Sequence, residues 1–125
     1  MSEQTYTIAE LAREFDITPR TIRHYEDQGL LSPARAGVQR VYDKRDRTRL
    51  KLTLRGKRLG LSLAEIRELI DMYDTAPESS QLSRFLEVLA RRRAMLVQQR
   101  EDIAAVLTEI AALERQCRAL LGQGD

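Results

Sequence analysis

Hydrophobic residues recur every seven positions through the second half of the chain. Two such series, offset by three residues, run from position 82 to position 120 without a glycine or proline. Ten of their twelve positions are apolar, and these ten are the predicted dimer contacts: Leu82, Phe85, Leu89, Leu96, Ile103, Val106, Ile110, Leu113, Cys117 and Leu120. The pattern is typical of a coiled coil. It predicts a helix over 82–121, which at about 1.5 Å per residue is roughly 60 Å long.

A stripe of this length needs a second helix to cover it. A two-fold homodimer is the commonest way for a soluble protein to supply one. The alternative is a monomer whose long helix folds back on the rest of the chain. The length and regularity of the stripe favour the dimer.

The first half of the chain has shorter patterns that predict a helix-turn-helix. Thr7 and Glu10 form a capping box that starts a helix over about 8–15, where apolar residues follow helical spacing. Thr18 can cap a second helix over about 19–28. Two short helices joined by a tight turn form a helix-turn-helix unit.

The segment after the second helix predicts a small hairpin and two more helices. Residues 34–42 contain a glycine turn flanked by strand-favouring residues, as in the wing of a winged helix. Asp43 can cap a third helix that ends at Gly60, and a second capping box at Ser62 starts a fourth helix over about 63–73. The predicted fold is therefore mainly α, with a winged helix-turn-helix domain and a long dimerisation helix.

The pattern divides the chain into four parts. Residues 1–73 form the predicted DNA-binding domain, and residues 74–81, which are polar and contain a proline, form a linker. The coiled-coil helix occupies 82–121, and 122–125 are a tail. This division predicts that DNA binding and dimerisation lie in different parts of the chain.

The distribution of charged residues along the chain supports a nucleic-acid partner. Residues 35–58 contain ten Lys or Arg against two Asp or Glu, whereas residues 74–125 contain seven against eight. A basic segment beside a helix-turn-helix is expected of a phosphate-binding surface. The alternative reading is a solvated helix face.

Composition indicates a cytoplasmic, non-enzymatic protein. The single cysteine excludes an internal disulfide and fits a reducing compartment. The N-terminus lacks the features of a signal peptide, and no apolar run approaches the ~20 residues of a membrane span. No nucleophile–base pair, phosphate-binding glycine loop or metalloprotease motif is visible. We therefore predict no catalytic activity, no cofactor and no membrane partner.

The second helix has the features of a recognition helix. Ile22 and Tyr25 lie at core-facing positions. The helix positions left for another surface are those of Arg20, Thr21, Arg23 and His24. The N-terminal residues of a recognition helix reach base edges and phosphates in the major groove. The alternative is an ordinary surface helix with solvated arginines, and likewise the hairpin could be an irregular surface loop.

With these elements in order, the sequence resembles the MerR family of transcriptional regulators. The resemblance rests on these stretches: Tyr6 to Ala12, Thr18 to Glu26, Gly29 to Pro33, the wing residues Arg35, Gly37, Arg40 and Tyr42, and Leu59 to Ile66. Two departures are His24, where the family commonly has Tyr, and Gln39, where a Tyr is usual. Together the helix, the wing and the resemblance give the predicted DNA contacts: Thr18, Arg20, Thr21, Arg23, His24, Tyr25, Arg35, Arg40, Tyr42 and Lys57.

The resemblance also implies a mechanism. A dimer with an antiparallel coiled coil would bind a two-fold-symmetric operator between promoter elements that are spaced too far apart. It would bend and untwist this DNA so that RNA polymerase can use the promoter. The competing interpretations are a non-specific architectural DNA binder and a coiled-coil adaptor that binds proteins. Salt-dependent, sequence-selective binding to duplex DNA distinguishes them.

The sequence leaves the effector small molecule unassigned. Metal-sensing members of the family have cysteines at the start of the dimerisation helix and in a loop beyond it, where this chain has Ser79, Ser80 and residues 122–125. We therefore predict no metal site.

Cys117 lies on the heptad seam, where a small apolar residue fits, and a disulfide between two copies is the alternative role. Within the family, the sequence is most similar to small regulators of branched-chain amino-acid and acyl-CoA breakdown.

Overall fold

A computed structural model describes residues 4–122 and divides the chain into two compact units, Met1–Leu86 and Glu87–Asp125. We call the first unit the head. The elements along the chain are α1 (Ile8–Phe15), α2 (Pro19–Asp27), β1 (Ala34–Ala36), β2 (Gln39–Val41), α3 (Lys44–Leu59), α4 (Leu63–Thr75) and α5 (Glu78–Leu121). This order confirms the predicted mainly α fold.

The helix-turn-helix is formed by α1 and α2. The hydroxyl of Thr7 accepts the backbone N–H of Glu10, whose carboxylate accepts the N–H of Thr7, so the predicted capping box is present. Thr18 caps α2 in the predicted way, with proline at the first helical position. Between the helices, Asp16 has a left-handed backbone with φ of 55°. This sharp turn sets the angle at which α2 leaves α1.

The wing is a two-stranded antiparallel hairpin of β1 and β2, in which Arg35 is the cross-strand partner of Arg40. Its turn contains Gly37, whose φ of 65° is easily adopted only by glycine. At the base of the wing, the backbones of Tyr6 and Tyr42 exchange two hydrogen bonds of 2.7 and 2.9 Å. The chain before α1 therefore anchors the wing to the head.

Helices α3 and α4 pack closely at Gly56. A Cβ at this position would lie 2.7 Å from Cγ1 of Ile66, which is closer than real Cβ contacts. The sequence suggested only that Gly56 weakens α3 by about 1 kcal/mol relative to alanine. The structure shows that the lack of a side chain is what allows the two helices to approach.

The predicted linker over 74–81 is wrong in its bounds. Helix α4 continues to Thr75 and α5 begins at Glu78, so only Ala76 and Pro77 separate them. Ala76 has the extended backbone that a following proline favours. The carbonyl of Pro77 accepts the N–H of Gln81, which belongs to the first turn of α5. The first turns of α5 also belong to the head, which extends to residue 86 rather than 73.

The core of the head is aliphatic and contains one buried arginine. Its fully buried side chains include Leu11, Ile22, Leu30 and Leu50. Arg49 on α3 is only 6% exposed. Its guanidinium connects three parts of the head, because it donates to a carbonyl after α2 and to two carboxylates of α4.

Helix α5 has 44 residues and carries the heptad seam. From residue 96 onward, the apolar seam residues other than Cys117 are between 45% and 73% exposed in the single chain: Leu96, Ile103, Val106, Ile110, Leu113 and Leu120. The first two seam positions, Leu82 and Phe85, line an apolar groove of the head with a volume of about 240 Å³, although Leu82 is still 52% exposed. Among residues 4–122, no helix is both long enough and apolar enough to cross a membrane.

Candidate nucleic-acid interface

Helix α2 presents its polar side chains to solvent. Ile22 and Tyr25 are buried on the inner side of the helix, whereas Arg20, Arg23 and His24 are exposed. We call the exposed set, together with Thr21, the recognition face. The N-cap at Thr18 and the proline after it fix the first turn, so the arginines project from a well-defined helix end.

Thr18 and Thr21 contribute differently from the arginines. The hydroxyl of Thr18 accepts the N–H of Thr21 at 3.1 Å and lies 2.9 Å from the Thr21 hydroxyl. Thr18 therefore has a structural use as a helix cap. Its predicted DNA contact would be made by a side chain that is already hydrogen-bonded.

The recognition face continues onto α3 through a notch beside α2. The notch is bounded by Arg20, Thr21, His24, Tyr25, Lys57 and Leu63. Lys57 is exposed near the C-terminal end of α3. The structure thus brings Lys57, which is 33 residues beyond His24 in sequence, to the same surface as the recognition face.

Both wing arginines are paired with a single carboxylate of α2. Nε of Arg40 donates to Oε2 of Glu26 at 2.6 Å, and Nη2 of Arg35 lies 3.6 Å from Oε1 of the same residue. The side chain of Glu26 is 18% exposed, that of Arg40 26% and that of Arg35 52%. Glu26 therefore connects the last turn of α2 to the wing.

Two predicted DNA contacts lie in the core instead. Tyr25 is 6% exposed and Tyr42 is completely buried. Burial raises the pKa of Tyr42 to about 12, with the carboxylate of Glu26 adding to the effect. The hydroxyl of Tyr42 has no hydrogen-bond partner within the described residues. The prediction that Tyr42 contacts DNA is corrected, because its side chain is completely buried and its backbone, just after β2, is bridged to that of Tyr6. Tyr25 only borders the notch.

The positive charge available at the surface is smaller than the sequence suggested. Arg45 is paired with Asp74, Arg47 with Glu14, and Arg49 with acidic residues of α4. Hydrogen bonding from Arg47 lowers the pKa of the Glu14 carboxyl. All three arginines are paired with carboxylates of the head, but only Arg49 is buried; the Arg45 side chain is 62% exposed. The predicted phosphate-binding surface is therefore carried by fewer cations than the local charge indicates.

The structure also gives the environment of Cys117 in the coiled-coil seam and of the side chains that could bind a metal ion. Cys117 is an exposed free thiol in the single chain. Within residues 4–122 there is no cluster of three or more His, Cys, Asp or Glu side chains that could hold a metal ion. The predicted tail over 122–125 lies almost entirely outside the described residues.

Comparison with known proteins decides the family. The family model described as MerR HTH family regulatory protein matches residues 6–73, and the model described as MerR, DNA binding, matches residues 47–113. The chain belongs to the MerR family. It is a sequence-specific DNA-binding transcriptional regulator of the MerR type.

Individual MerR-family members resemble most of the chain. The HTH-type transcriptional regulator ZntR of Escherichia coli K12 is 32% identical over 119 residues, which cover 92% of this chain and 77% of that protein. A MerR-family regulator from Bacillus cereus has a crystal structure that aligns with a TM-score of 0.70 at 30% identity, covering 90% of this chain and 82% of the other.

The transcription regulator PbrR691 from Ralstonia metallidurans CH34, solved in complex with lead(II), aligns with a TM-score of 0.73 at 29% identity, covering 86% of this chain and 84% of the other. The predicted subgroup of the MerR family stays a prediction, because none of these three proteins is named for amino-acid or acyl-CoA breakdown.

The contact at this surface that the sequence does not predict is the one between Glu26 and the two wing arginines. The partners of Glu26 lie nine and fourteen residues farther along the chain, and no helical or strand period links these positions. Only the docking of the wing beside α2 brings the three side chains together.

Proposed function

We propose that two copies of this chain bind a two-fold-symmetric operator, with one recognition face in the major groove of each half-site. The observation that carries the proposal is the exposed first turn of α2, with Arg20 and Arg23 free of ion pairs within the described residues. The wing arginines and Lys57 flank this turn and would contact phosphates. Phosphate contacts position the protein, while base contacts supply the specificity.

The coiled coil would fix the distance between the two heads. The exposed seam of α5 supports a homodimer, with the two helices antiparallel as in the family that the sequence resembles. Two heads at a fixed spacing accept only certain half-site separations. Where straight DNA does not match the spacing, the DNA must bend or untwist, and the energy required depends on its sequence.

The biological consequence is control of a promoter. A distorted operator between promoter elements would change how RNA polymerase engages them, in the cytoplasm where the DNA lies.

Selection of genomic fragments bound by the protein tests this function. We expect enrichment of a palindromic sequence upstream of a small set of genes. Circularly permuted operator fragments should then show mobility that depends on the position of the site, because a bend near the centre of a fragment retards it most. Enrichment without a common sequence would instead indicate an architectural binder, and position-independent mobility would exclude bending.

Replacing Arg23 with Ala should weaken operator binding by about 1–3 kcal/mol, since a good contact between an arginine and a base discriminates by this amount. It should also relax the base preference at one position of each half-site. A binding assay with single-base operator variants measures both effects. Unchanged affinity and preference in a folded Arg23→Ala protein would contradict this placement of α2.

Lys57→Ala is the matched comparison. Because Lys57 would contact only phosphate, its loss should weaken binding to every sequence alike and lower the slope of log K against log salt by about one. The base preference should remain that of the unchanged protein.

A further inference from the structure

The wing contains an arrangement that is unfavourable by itself. Arg35 and Arg40 are direct cross-strand partners, so their side chains project from the same side of the hairpin. Like charges that face each other across two strands destabilise the pair. A hairpin with only three residues in each strand has little to offset this repulsion.

Glu26 compensates for this repulsion. One of its oxygens accepts a 2.6 Å hydrogen bond from Arg40, and the other lies 3.6 Å from the guanidinium of Arg35. Its carboxylate is largely shielded from solvent, so the interaction with Arg40 is screened less than an exposed ion pair. Arg35 is half exposed and more loosely held.

This geometry makes phosphate and Glu26 alternative partners of the wing. DNA of any sequence offers phosphates, and affinity for such DNA comes almost entirely from unpaired cations. Arginines that are paired with Glu26 contribute less to this general attraction. At an operator, α2 would lie in the groove, and because Glu26 belongs to α2 it would hold the wing at one fixed distance from the recognition face.

We propose that Glu26 determines the specificity of the interface by restraining Arg35 and Arg40. It would lower the affinity for DNA of arbitrary sequence and position the wing for the operator phosphates. This inference rests on the proposed function. Glu26 would act through the arginines and is therefore a positioning residue.

Glu26→Gln tests the proposal, because glutamine keeps the size of the side chain and removes its charge. The affinities of the full-length variant and the unchanged protein are measured for an operator duplex and for a shuffled duplex of equal length, over a series of salt concentrations. We expect binding to the shuffled duplex to tighten about threefold to tenfold, with a salt slope steeper by up to about one. The ratio of the two affinities should fall at least about fivefold, because the operator complex also loses the positioned wing.

Glu14→Gln is the matched control. It removes the same charge and also frees an arginine, Arg47, but it lies on α1 rather than beside the wing. A change in net charge alone should alter the affinities for the operator duplex and the shuffled duplex by the same factor, so the ratio of the two affinities should not change. If Glu26→Gln preserves the ratio, or if Glu14→Gln lowers it as much, the proposal is wrong.

Glu26→Asp provides a second comparison, since it keeps the charge but shortens the side chain by one methylene. We expect near-normal affinity for the shuffled duplex and weakened affinity for the operator. A normal ratio in this variant would show that the reach of Glu26 is irrelevant. Failure of the unchanged protein to prefer the operator would instead contradict the proposed function, and this is measured before any variant is compared.

Discussion

Replacing Ile103 with Asp should convert the dimer to single chains and reduce operator affinity at least about a hundredfold. In the single chain this side chain is 61% exposed, so the substitution should leave the helix itself folded. In a coiled coil the aspartate would be buried without a partner, which strongly opposes association. The loss of affinity follows because two linked heads gain on the order of a hundredfold or more from their high effective concentration.

Light scattering at micromolar concentration measures the first effect, and titration of an operator duplex measures the second. The unchanged protein should have twice the 14.4 kDa mass of one chain. Thr108→Asp is a suitable control, because it places the same charge five residues farther along the exposed helix and outside the seam. A mass of one chain for the unchanged protein would contradict the dimer.

Arg49→Ala should destabilise the head by about 3 kcal/mol, because removing one partner of a buried charged network leaves the others uncompensated. The Arg49 guanidinium donates to the carbonyl of Leu30 at 2.7 Å, to Asp74 at 2.7 Å and to Asp71 at 3.1 Å. Lysine has a single nitrogen and cannot reach all three acceptors, so Arg49→Lys should also be destabilising. Urea unfolding at fixed protein concentration measures both variants.

The Arg45→Ala variant separates the effect of burying an arginine from the effect of its ion pair with Asp74. Arg45 also binds Asp74 through two hydrogen bonds, and it is the largest cause that lowers the pKa of the Asp74 carboxyl. However, the Arg45 side chain is 62% exposed, and solvent screening leaves an exposed ion pair with only a small contribution to stability. We therefore expect a much smaller loss than for Arg49→Ala. Equal losses in the two variants would show that burial of Arg49 is unimportant.

The parts of the fold that could be predicted from sequence have local causes. The capping boxes at Thr7 and Ser62 mark their helix starts within four residues, and both are present. The wing followed from a glycine turn between strand-favouring residues. The heptad pattern predicted a helix over 82–121, and α5 has the predicted end but begins four residues earlier, at Glu78.

The sequence-based predictions that were wrong concern residues whose positions depend on contacts between distant segments of the chain. Polar residues over 78–81 suggested a linker, but the same residues also suit the first turn of a helix. Arg49 resembled the other basic residues of α3, since its acceptors on α4 are 22 and 25 residues away. Tyr42 fitted a wing motif by spacing, yet its side chain fills the core. A pattern of residue types does not reveal which arginine or tyrosine the folded head encloses.

The exposed thiol of Cys117 allows the distance between the two copies in a dimer to be measured, because a thiol-reactive label attaches only to this one cysteine of the sequence. In an antiparallel dimer with matched seams, Gln99 and Ile103 flank the midpoint, so the two thiols would be about 50 Å apart at 1.5 Å per residue. Parallel helices would bring them within about 10 Å. A nitroxide attached to Cys117 would therefore distinguish the two orientations by dipolar spin resonance, without any engineered mutation. The same separation would prevent air oxidation from joining the two copies within one dimer.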